Sequence, residues 1–157
     1  MSKEQNLTKQ RVRRRALHLL EQQDRTENNL REKLAKSDYP QELVEDAVEY
    51  VKSYGYIDDW RYASRYVRYH GIDKSRRYVY QELLKRGVDR DTARRAIEEC
   101  YEGDEGEQIA ALLRKREYDP ETADEKERQR TYAFLMRRGF ESSDVLSALE
   151  KKHDKRS

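Results

Sequence analysis

The most constraining feature of this sequence is an internal repeat with a period of 46 to 52 residues. Trios of apolar residues spaced i, i+3 and i+4, which place three side chains on one face of a helix, recur three times in two sets. The first set is Ala16/Leu19/Leu20, Ala63/Tyr66/Val67 and Ile109/Leu112/Leu113. The second set is Val44/Ala47/Val48, Ala93/Ala96/Ile97 and Val145/Ala148/Leu149. Repetition at this period is typical of tandem helical units that stack on one another.

A third helix lies between the two sets in every unit, and its apolar pairs are Leu30/Leu34, Val79/Leu83 and Thr131/Leu135. The combined pattern predicts nine helices, near residues 9–23, 27–37, 40–54, 59–70, 75–86, 90–101, 105–117, 124–138 and 143–153. The predicted fold class is all-α, with three tandem three-helix repeats over 9–57, 58–103 and 104–153 after a disordered N-terminal tail at 1–8. Since one such unit buries little surface, we expect consecutive units to pack into an elongated, curved, solenoid-like molecule.

A tight turn ends the second helix of each unit. Basic residues precede Gly87 in the second unit and Gly139 in the third, and Asp38 takes that place in the first unit. Gly, and less readily Asp, adopts the left-handed conformation that ends a helix. The predicted first residues or caps of the helices that follow are Pro40, then Asp89 or Asp91, then Ser142 or Ser143.

The junctions between the units differ in composition. Residues 54–60 are rich in aromatic side chains, so we expect a packed corner there. The same stretch contains Asp58 and Asp59, two acids suited to capping the next helix. Residues 101–106 include two glycines and no large apolar residue after Tyr101. This second junction is predicted to be flexible.

The residue types that catalysis or metal binding needs are scattered along the chain. The three histidines lie in three different predicted helices, at His18, His70 and His153. The single Cys100 lies on the apolar face of its own predicted helix, where we expect its side chain to be buried. Asp58 and Asp59 have no further oxygen ligands at useful spacing, and no glycine-rich phosphate loop is present. We therefore expect no catalytic residue, no metal and no cofactor.

Apolar residues are few in this chain, which is 42% charged and 35% hydrophobic. No apolar run approaches the length of a membrane span, and the basic start is followed by too short an apolar stretch for a signal peptide. The expected location is the cytoplasm, away from any membrane. Few apolar side chains are left over beyond the predicted core, which favours a monomer.

Positive charge is concentrated in the middle of the chain. Residues 61–95 contain eleven Lys and Arg and only four acidic residues, whereas the whole chain has a net charge of +2. Tyr69, Tyr78 and Tyr80 are interleaved, and Arg with Tyr is typical of protein hot spots and of sites for single-stranded nucleic acid. A solvated helix face is the alternative interpretation of any one charge block. The predicted partner-binding residues are Arg61, Arg65, Arg68, Lys74, Arg76, Arg77, Lys85, Arg86, Arg94 and Arg95.

A helix-turn-helix DNA reader is the competing interpretation of three short helices joined by a tight turn. The third helix of the first unit is acidic, carrying Glu42, Glu45, Asp46 and Glu49. The third helix of the third unit opens with Glu141-Ser142-Ser143-Asp144, which phosphates would also repel. Only the second unit has a basic third helix. At most one unit is therefore expected to contact phosphates, without sequence specificity.

Several motifs occur in an order and at spacings that resemble a known family. The most specific stretch is Gly55-Tyr56-Ile57-Asp58-Asp59, Tyr62-Ala63 and Tyr66-Val67, then Arg76 to Gly87-Val88 with Gln81-Glu82-Leu83 inside it. The closing stretch is Phe134-Leu135-Met136-Arg137-Arg138-Gly139-Phe140, and the opening stretch is Ala16-Leu17-His18-Leu19-Leu20. This order resembles the RecX family of bacterial regulators of the RecA recombinase, over about residues 12–150.

The resemblance implies a regulator that binds the RecA filament on single-stranded DNA and limits its growth or promotes its disassembly. It thereby implies inhibition of strand exchange, ATP hydrolysis and coprotease activity, with direct DNA contact in some members. It also implies three tandem three-helix repeats. Two alternatives remain open: a sequence-independent single-stranded DNA-binding helical module that acts without RecA, and a helical adaptor for an unrelated partner.

Overall fold

The structure, a computed structural model, describes residues 2–151 of the chain. Within these residues every regular element is an α-helix, and none of the nine helices is both long and apolar enough to cross a membrane. The helices are α1 Lys3–Gln22, α2 Glu27–Ala35, α3 Gln41–Ser53, α4 Asp59–His70, α5 Arg76–Lys85, α6 Arg90–Cys100, α7 Glu105–Lys115, α8 Glu125–Arg137 and α9 Ser142–Glu150. This confirms the predicted all-α class. The predicted extension of the last helix and repeat to residue 153 reaches beyond the described residues, as does residue 1 of the predicted tail.

The start of α1 corrects the prediction of a disordered tail, since residues 3–8 are helical. Ser2 caps the helix: its Oγ accepts the Gln5 N–H at 3.1 Å, while Gln5 Oε1 accepts the Ser2 N–H at 2.9 Å. Such a reciprocal cap satisfies two amides that a helix start otherwise leaves unpaired. Apolar periodicity does not mark this first segment, because residues 2–7 are exposed to solvent.

The three left-handed turns are confirmed. Gly87 and Gly139 have φ of 92° and 89°, and Asp38 has φ of 63°. At the first of these glycines the Val88 N–H donates to Leu83 O at 3.0 Å, which closes the helix end and buries the Val88 side chain.

The helix starts agree with the prediction in two repeats and differ in the third. Pro40 is the N-cap of α3, and Asp89 Oδ1 accepts the Thr92 N–H at 2.8 Å at the start of α6. The prediction that Ser142 or Ser143 caps α9 was wrong: its N-cap is Glu141, which makes no side-chain cap. The Ser142 Oγ atom instead lies 3.0 Å from the Tyr132 hydroxyl oxygen. The Ser142 side chain is therefore engaged with α8 and does not cap α9.

Packing divides the described residues into two compact units, residues 2–65 with 83–96 and residues 66–82 with 97–151. Helices α4, α5 and α6 of the middle repeat each contribute residues to both units. In the first unit α1 packs on α2 and α3. One core cluster of this unit consists of Val12, Ala16, Leu19, Leu30, Leu34, Val44, Ala47, Val48, Val51 and Ile57.

A core cluster of the second unit lies where α9 packs on α7 and α8. It consists of Ile109, Leu113, Tyr118, Leu135, Phe140, Val145 and Leu149. The buried Tyr118 hydroxyl donates to Leu149 O at 3.0 Å, so the polar end of this core residue is satisfied. Most of these positions belong to the apolar sets that the sequence repeats.

The junction at residues 101–106, which was predicted to be flexible, is packed, and its last two residues begin α7. Tyr101 is buried and donates its hydroxyl hydrogen to Lys74 O at 2.7 Å, and Gln108 Nε2 donates to the Tyr101 hydroxyl oxygen at 3.1 Å. A Cβ atom on Gly103 would lie 2.0 Å from Gly71 O. Gly103 is therefore present because two backbone segments approach closely, and its presence does not indicate flexibility here.

Replacement of Gly103 by alanine is expected to destabilise the protein by about 1–3 kcal/mol, because a backbone oxygen must move to admit the new methyl group. Gly106→Ala is the matched control, since the nearest atom to its added Cβ is Asp104 Oδ1 at 3.3 Å and the site lies within α7. We expect that control to be neutral or slightly stabilising. Urea unfolding of both variants measures the difference, and equal stabilities would contradict the close approach.

Candidate functional site

Several charged side chains of the first repeat are paired with one another. Arg13 donates to both carboxylate oxygens of Asp46 at 2.9 Å, and Arg31 Nε donates to Glu45 Oε1 at 2.7 Å. The hydrogen bond from Arg13 is the main reason that the pKa of Asp46 lies below its ordinary value. Acidic residues of α3 therefore pair with cations from α1 and α2, although the sequence separates them.

The ten predicted partner-binding cations are divided between the two units. Those in the first unit are Arg61, Arg65, Lys85, Arg86, Arg94 and Arg95, and those in the second unit are Arg68, Lys74, Arg76 and Arg77. Of the tyrosines between them, Tyr69 is exposed, and Tyr78 and Tyr80 are half-buried.

Three of the cations in the first unit meet around a pocket of 270 Å³. Lys85 and Arg86 line it, and Arg65 Nη1 lies 3.6 Å from a carboxylate oxygen of Asp24, which also lines it. Arg86 Nη1 donates to the Tyr62 hydroxyl oxygen at 3.0 Å. The helical spacing of the sequence does not reveal this group, because its residues come from α4, the end of α5 and the segment before α2.

The other three predicted cations of the first unit differ in how freely their side chains could contact a partner. Arg61 is half-buried and donates to Gly55 O at 3.2 Å, and the Arg95 guanidinium lies 4.7 Å above the Trp60 ring. These contacts give both residues a structural role. Arg94 has a side chain that is 61% exposed, with only a 3.6 Å pair to the surface residue Asp91.

In the second unit Arg76 is held in place and Arg77 is exposed. The Arg76 amide donates to Glu105 Oε1 at 2.8 Å, and its guanidinium lies 4.6 Å above the Tyr101 ring. Burial is the main reason that the pKa of the Tyr101 hydroxyl lies above its ordinary value. Arg76 is thus part of the packed junction, whereas Arg77 is available to a partner.

Arg68 and Lys74, the remaining two predicted cations, line a cleft of 780 Å³ in the second unit. Three cations of the third repeat that the sequence did not single out line it as well, namely Arg114, Lys115 and Arg138. The run Arg114-Lys115-Arg116 at the end of α7 was a visible signal. It was overlooked because a basic last turn is common in helices for dipole reasons alone. Cys100, predicted to be buried, is buried and also borders this cleft.

The acidic pair Asp58–Asp59 caps two different helices. Asp58 Oδ1 accepts the Arg61 N–H at 3.1 Å and so caps α4 as predicted. Asp59 Oδ1 instead accepts the Glu27 N–H at 2.9 Å, at the first residue of α2. Burial, followed by the neighbouring carboxylates, raises the pKa of Asp59. Among residues 2–151 no group of three or more His, Cys, Asp or Glu side chains is placed to hold a metal ion.

The raised pKa of Asp59 predicts a stabilising substitution. A carboxyl group whose pKa is higher in the folded protein contributes most to stability when protonated, below its unfolded pKa, and that contribution is lost as the pH rises through the folded pKa. Asp59→Asn keeps the acceptor for the Glu27 N–H and removes the charge. We expect Tm at pH 7 to rise by about 1–3 °C, and the gain to vanish near pH 3.

Thermal unfolding monitored by circular dichroism at both pH values measures this effect. Asp124→Asn is the control, because it keeps the cap acceptor for the Glu127 N–H at an exposed helix start and Asp124 is not one of the carboxylates that raise the pKa of Asp59; it should not show the gain at pH 7. A lower Tm of Asp59→Asn at pH 7 would show that the negative charge favours the two helix starts by more than its burial costs.

The fold and these surfaces define a class of protein: a helical-repeat protein that presents exposed arginines and a mixed-charge cleft. Models of the first, second and third three-helix domains of RecX match residues 13–50, 58–97 and 104–149. The regulatory protein RecX of Trichlorobacter lovleyi is 37% identical over 142 residues, which span 87% of this chain and 92% of that protein. The chain belongs to the RecX family.

Two further comparisons agree with this assignment. The regulatory protein RecX of Caldanaerobacter subterraneus subsp. tengcongensis is 32% identical over 85% of this chain and 66% of its own length. A crystal structure of a regulatory protein RecX superimposes with a TM-score of 0.75 at 24% identity, covering 96% of this chain and 79% of that chain. The structural match supports the fold, and the sequence matches support a regulatory role.

Proposed function

We propose that this chain binds the RecA nucleoprotein filament on single-stranded DNA and modulates it, mainly by inhibiting its recombinase, ATPase and coprotease activities. The observation that carries the proposal is the match to all three RecX domains along one chain. Exposed cations add chemical support, because Arg65, Arg68, Arg77 and Arg94 present positive charge to an acidic partner.

The proposed mode of action is binding, without catalysis by this chain. Binding several filament subunits through repeated helical modules would raise the overall affinity above that of any single contact. We propose that the chain acts as a monomer in the cytoplasm, where its partner assembles. Direct contact with DNA in the complex is part of the same proposal and stays secondary to contact with RecA.

A RecA ATPase assay on single-stranded DNA tests the proposal. We expect hydrolysis to fall as the purified chain is added, and to fall further when the chain is added during filament assembly. A heat-denatured sample of the same chain serves as the control. Unchanged hydrolysis and unchanged strand exchange at saturating concentrations of the chain would refute the proposed function.

A salt titration of oligonucleotide binding, combined with the ATPase assay, separates the rival function. A single-stranded DNA-binding module that acts without RecA would bind an oligonucleotide tightly at physiological salt, with an affinity that falls steeply as salt is added. Tight binding of this kind without any effect on RecA would favour the rival function.

A further inference from the structure

The loop between α4 and α5, residues 71–75, accepts hydrogen bonds from the buried side-chain amide of Gln108. Gln108 Nε2 donates to Gly71 O at 3.1 Å, to Ile72 O at 3.3 Å and to the Tyr101 hydroxyl oxygen at 3.1 Å. Tyr101 in turn donates to Lys74 O at 2.7 Å. The loop is therefore held at both of its ends by groups of the second unit.

This arrangement keeps an apolar side chain in solvent. Ile72 is 73% exposed, and its main-chain oxygen accepts a part-buried hydrogen bond from Gln108 Nε2 at 3.3 Å, so turning the side chain inwards would cost the loop this hydrogen bond. The same side chain borders the 780 Å³ cleft, where Cys100, Ala111 and Leu112 continue the apolar lining. An apolar surface held rigidly in place and bordered by charge is typical of the central contact in a protein interface.

Gln108 also has an unpaired acceptor beside the cleft. The residue is 6% exposed, and within residues 2–151 no donor lies in hydrogen-bond range of its Oε1. The orientation of the amide is determined by its nitrogen, which has three acceptors around it. An N–H group seated in the cleft is the kind of partner that would satisfy this oxygen after a small shift.

The charges of the cleft favour a protein occupant over nucleic acid. Arg68, Arg114 and Lys115 are exposed cations, while Glu102 and Glu107 line the same cleft. A polyphosphate would be repelled by these glutamates, whereas a peptide with a single carboxylate can avoid them. Among the described residues that line the cleft there is no aromatic side chain on which a base would stack.

We infer that this cleft receives a segment of a protein partner that carries an apolar side chain next to a carboxylate. Ile72 is the apolar contact, Arg68, Arg114 and Lys115 are the cations that meet the carboxylate, and an N–H of the segment pairs with Gln108 Oε1. The inference rests on the proposed function, because the partner segment is assigned to the protein of the RecA filament and not to its DNA.

Two substitutions at exposed positions test the inference: Ile72→Asp and Lys115→Glu. Binding of the fluorescently labelled chain to RecA filaments on single-stranded DNA, and to the same oligonucleotide without RecA, is measured for each. We expect each variant to bind the filament about 10-fold more weakly. Binding of Ile72→Asp to DNA alone should be unchanged.

Matched controls lie outside the cleft in the same unit. Leu146→Asp replaces another exposed apolar residue and Lys126→Glu reverses another exposed cation, and both should bind the filament within about 2-fold of the parent chain. Circular dichroism melts of all four variants establish that each is folded.

Three outcomes would overturn the inference. If Ile72→Asp binds the filament as tightly as the parent chain does, the proposed apolar contact is refuted and the proposed function is unaffected. Weaker binding by Lys115→Glu alone, with a parallel loss on free DNA, would show that the cleft binds phosphates. Failure of the parent chain to bind the filament at all would refute the proposed function and this inference together.

Discussion

Reversal of Arg68, Arg77 and Arg94 to glutamate is expected to weaken binding to the RecA filament by about 100-fold or more. Each substitution replaces attraction to an acidic surface with repulsion, and like charges at an interface cost several kcal/mol. These three residues are chosen because their side chains are exposed and do not take part in the packed contacts of Arg76, Arg86 and Arg95. Inhibition of RecA ATP hydrolysis should be lost at concentrations at which the parent chain is saturating.

The control for this variant reverses three other exposed cations, Arg14, Lys126 and Arg130. Both variants change the net charge by the same amount, so a general electrostatic effect would appear in both. We expect the control variant to inhibit RecA nearly as the parent chain does. Full inhibition by the Arg68/Arg77/Arg94 variant would exclude these arginines from the binding site.

The salt dependence of filament binding gives an independent measurement on the parent chain and the Arg68/Arg77/Arg94 variant. If the arginines contact charged groups, the affinity of the parent chain should fall as ionic strength rises, and that of the Arg68/Arg77/Arg94 variant should fall less steeply. An identical salt dependence for the two chains would contradict direct charge contacts at these positions.

Gly87→Ala is expected to destabilise the protein by about 2–4 kcal/mol, the largest effect on stability that we predict for a single substitution. Two costs combine at this turn. The backbone has φ of 92°, which L side chains rarely adopt, and an added Cβ would lie 2.5 Å from the Cβ atom of Asn28 in α2. Asn28 Cβ is attached directly to a helix backbone, so the contact cannot be relieved by rotating a flexible side chain.

The equivalent turn of the first repeat provides the opposite control. Asp38 has φ of 63° and is exposed, so Asp38→Gly should relieve backbone strain and stabilise the protein by about 0.5–1 kcal/mol. Chemical denaturation of both variants, with far-ultraviolet circular dichroism as the signal, gives the two free energies. A loss below about 1 kcal/mol for Gly87→Ala would show that α2 moves away easily.

The helices and their ends were largely predictable because they depend on residues close together in the sequence. Apolar spacing of 3 and 4 identifies a buried helix face, and Gly87 and Gly139 stop helices through their own backbone freedom. Local chemistry misled at three places, namely the cap of α9, the start of α1 and the junction near residue 103. The polar start at residues 3–8 has no apolar face but a reciprocal cap, and the two glycines near residue 103 suggested flexibility although Gly103 marks a close packing contact.

The availability of each cation depends on contacts that sequence spacing does not contain. Arg76, Arg86 and Arg95 have the same charge as Arg68 and Arg77, yet they are engaged by Tyr101, Tyr62 and Trp60. Likewise, Arg68 meets Arg114 at a single cleft although 46 positions separate them in the chain.

Local order along the chain was therefore enough to predict an all-helical, threefold-repeated fold, and the order of its motifs resembled the RecX family. The identity of the arginines that contact aromatic residues, and the assembly of the cleft around Ile72 and Gln108, came from the folded molecule alone. The physical reason is that helix periodicity and turn conformation involve neighbours within a few residues. Burial, cation–π contact and electrostatic pairing depend on distances in space between segments that the sequence places far apart.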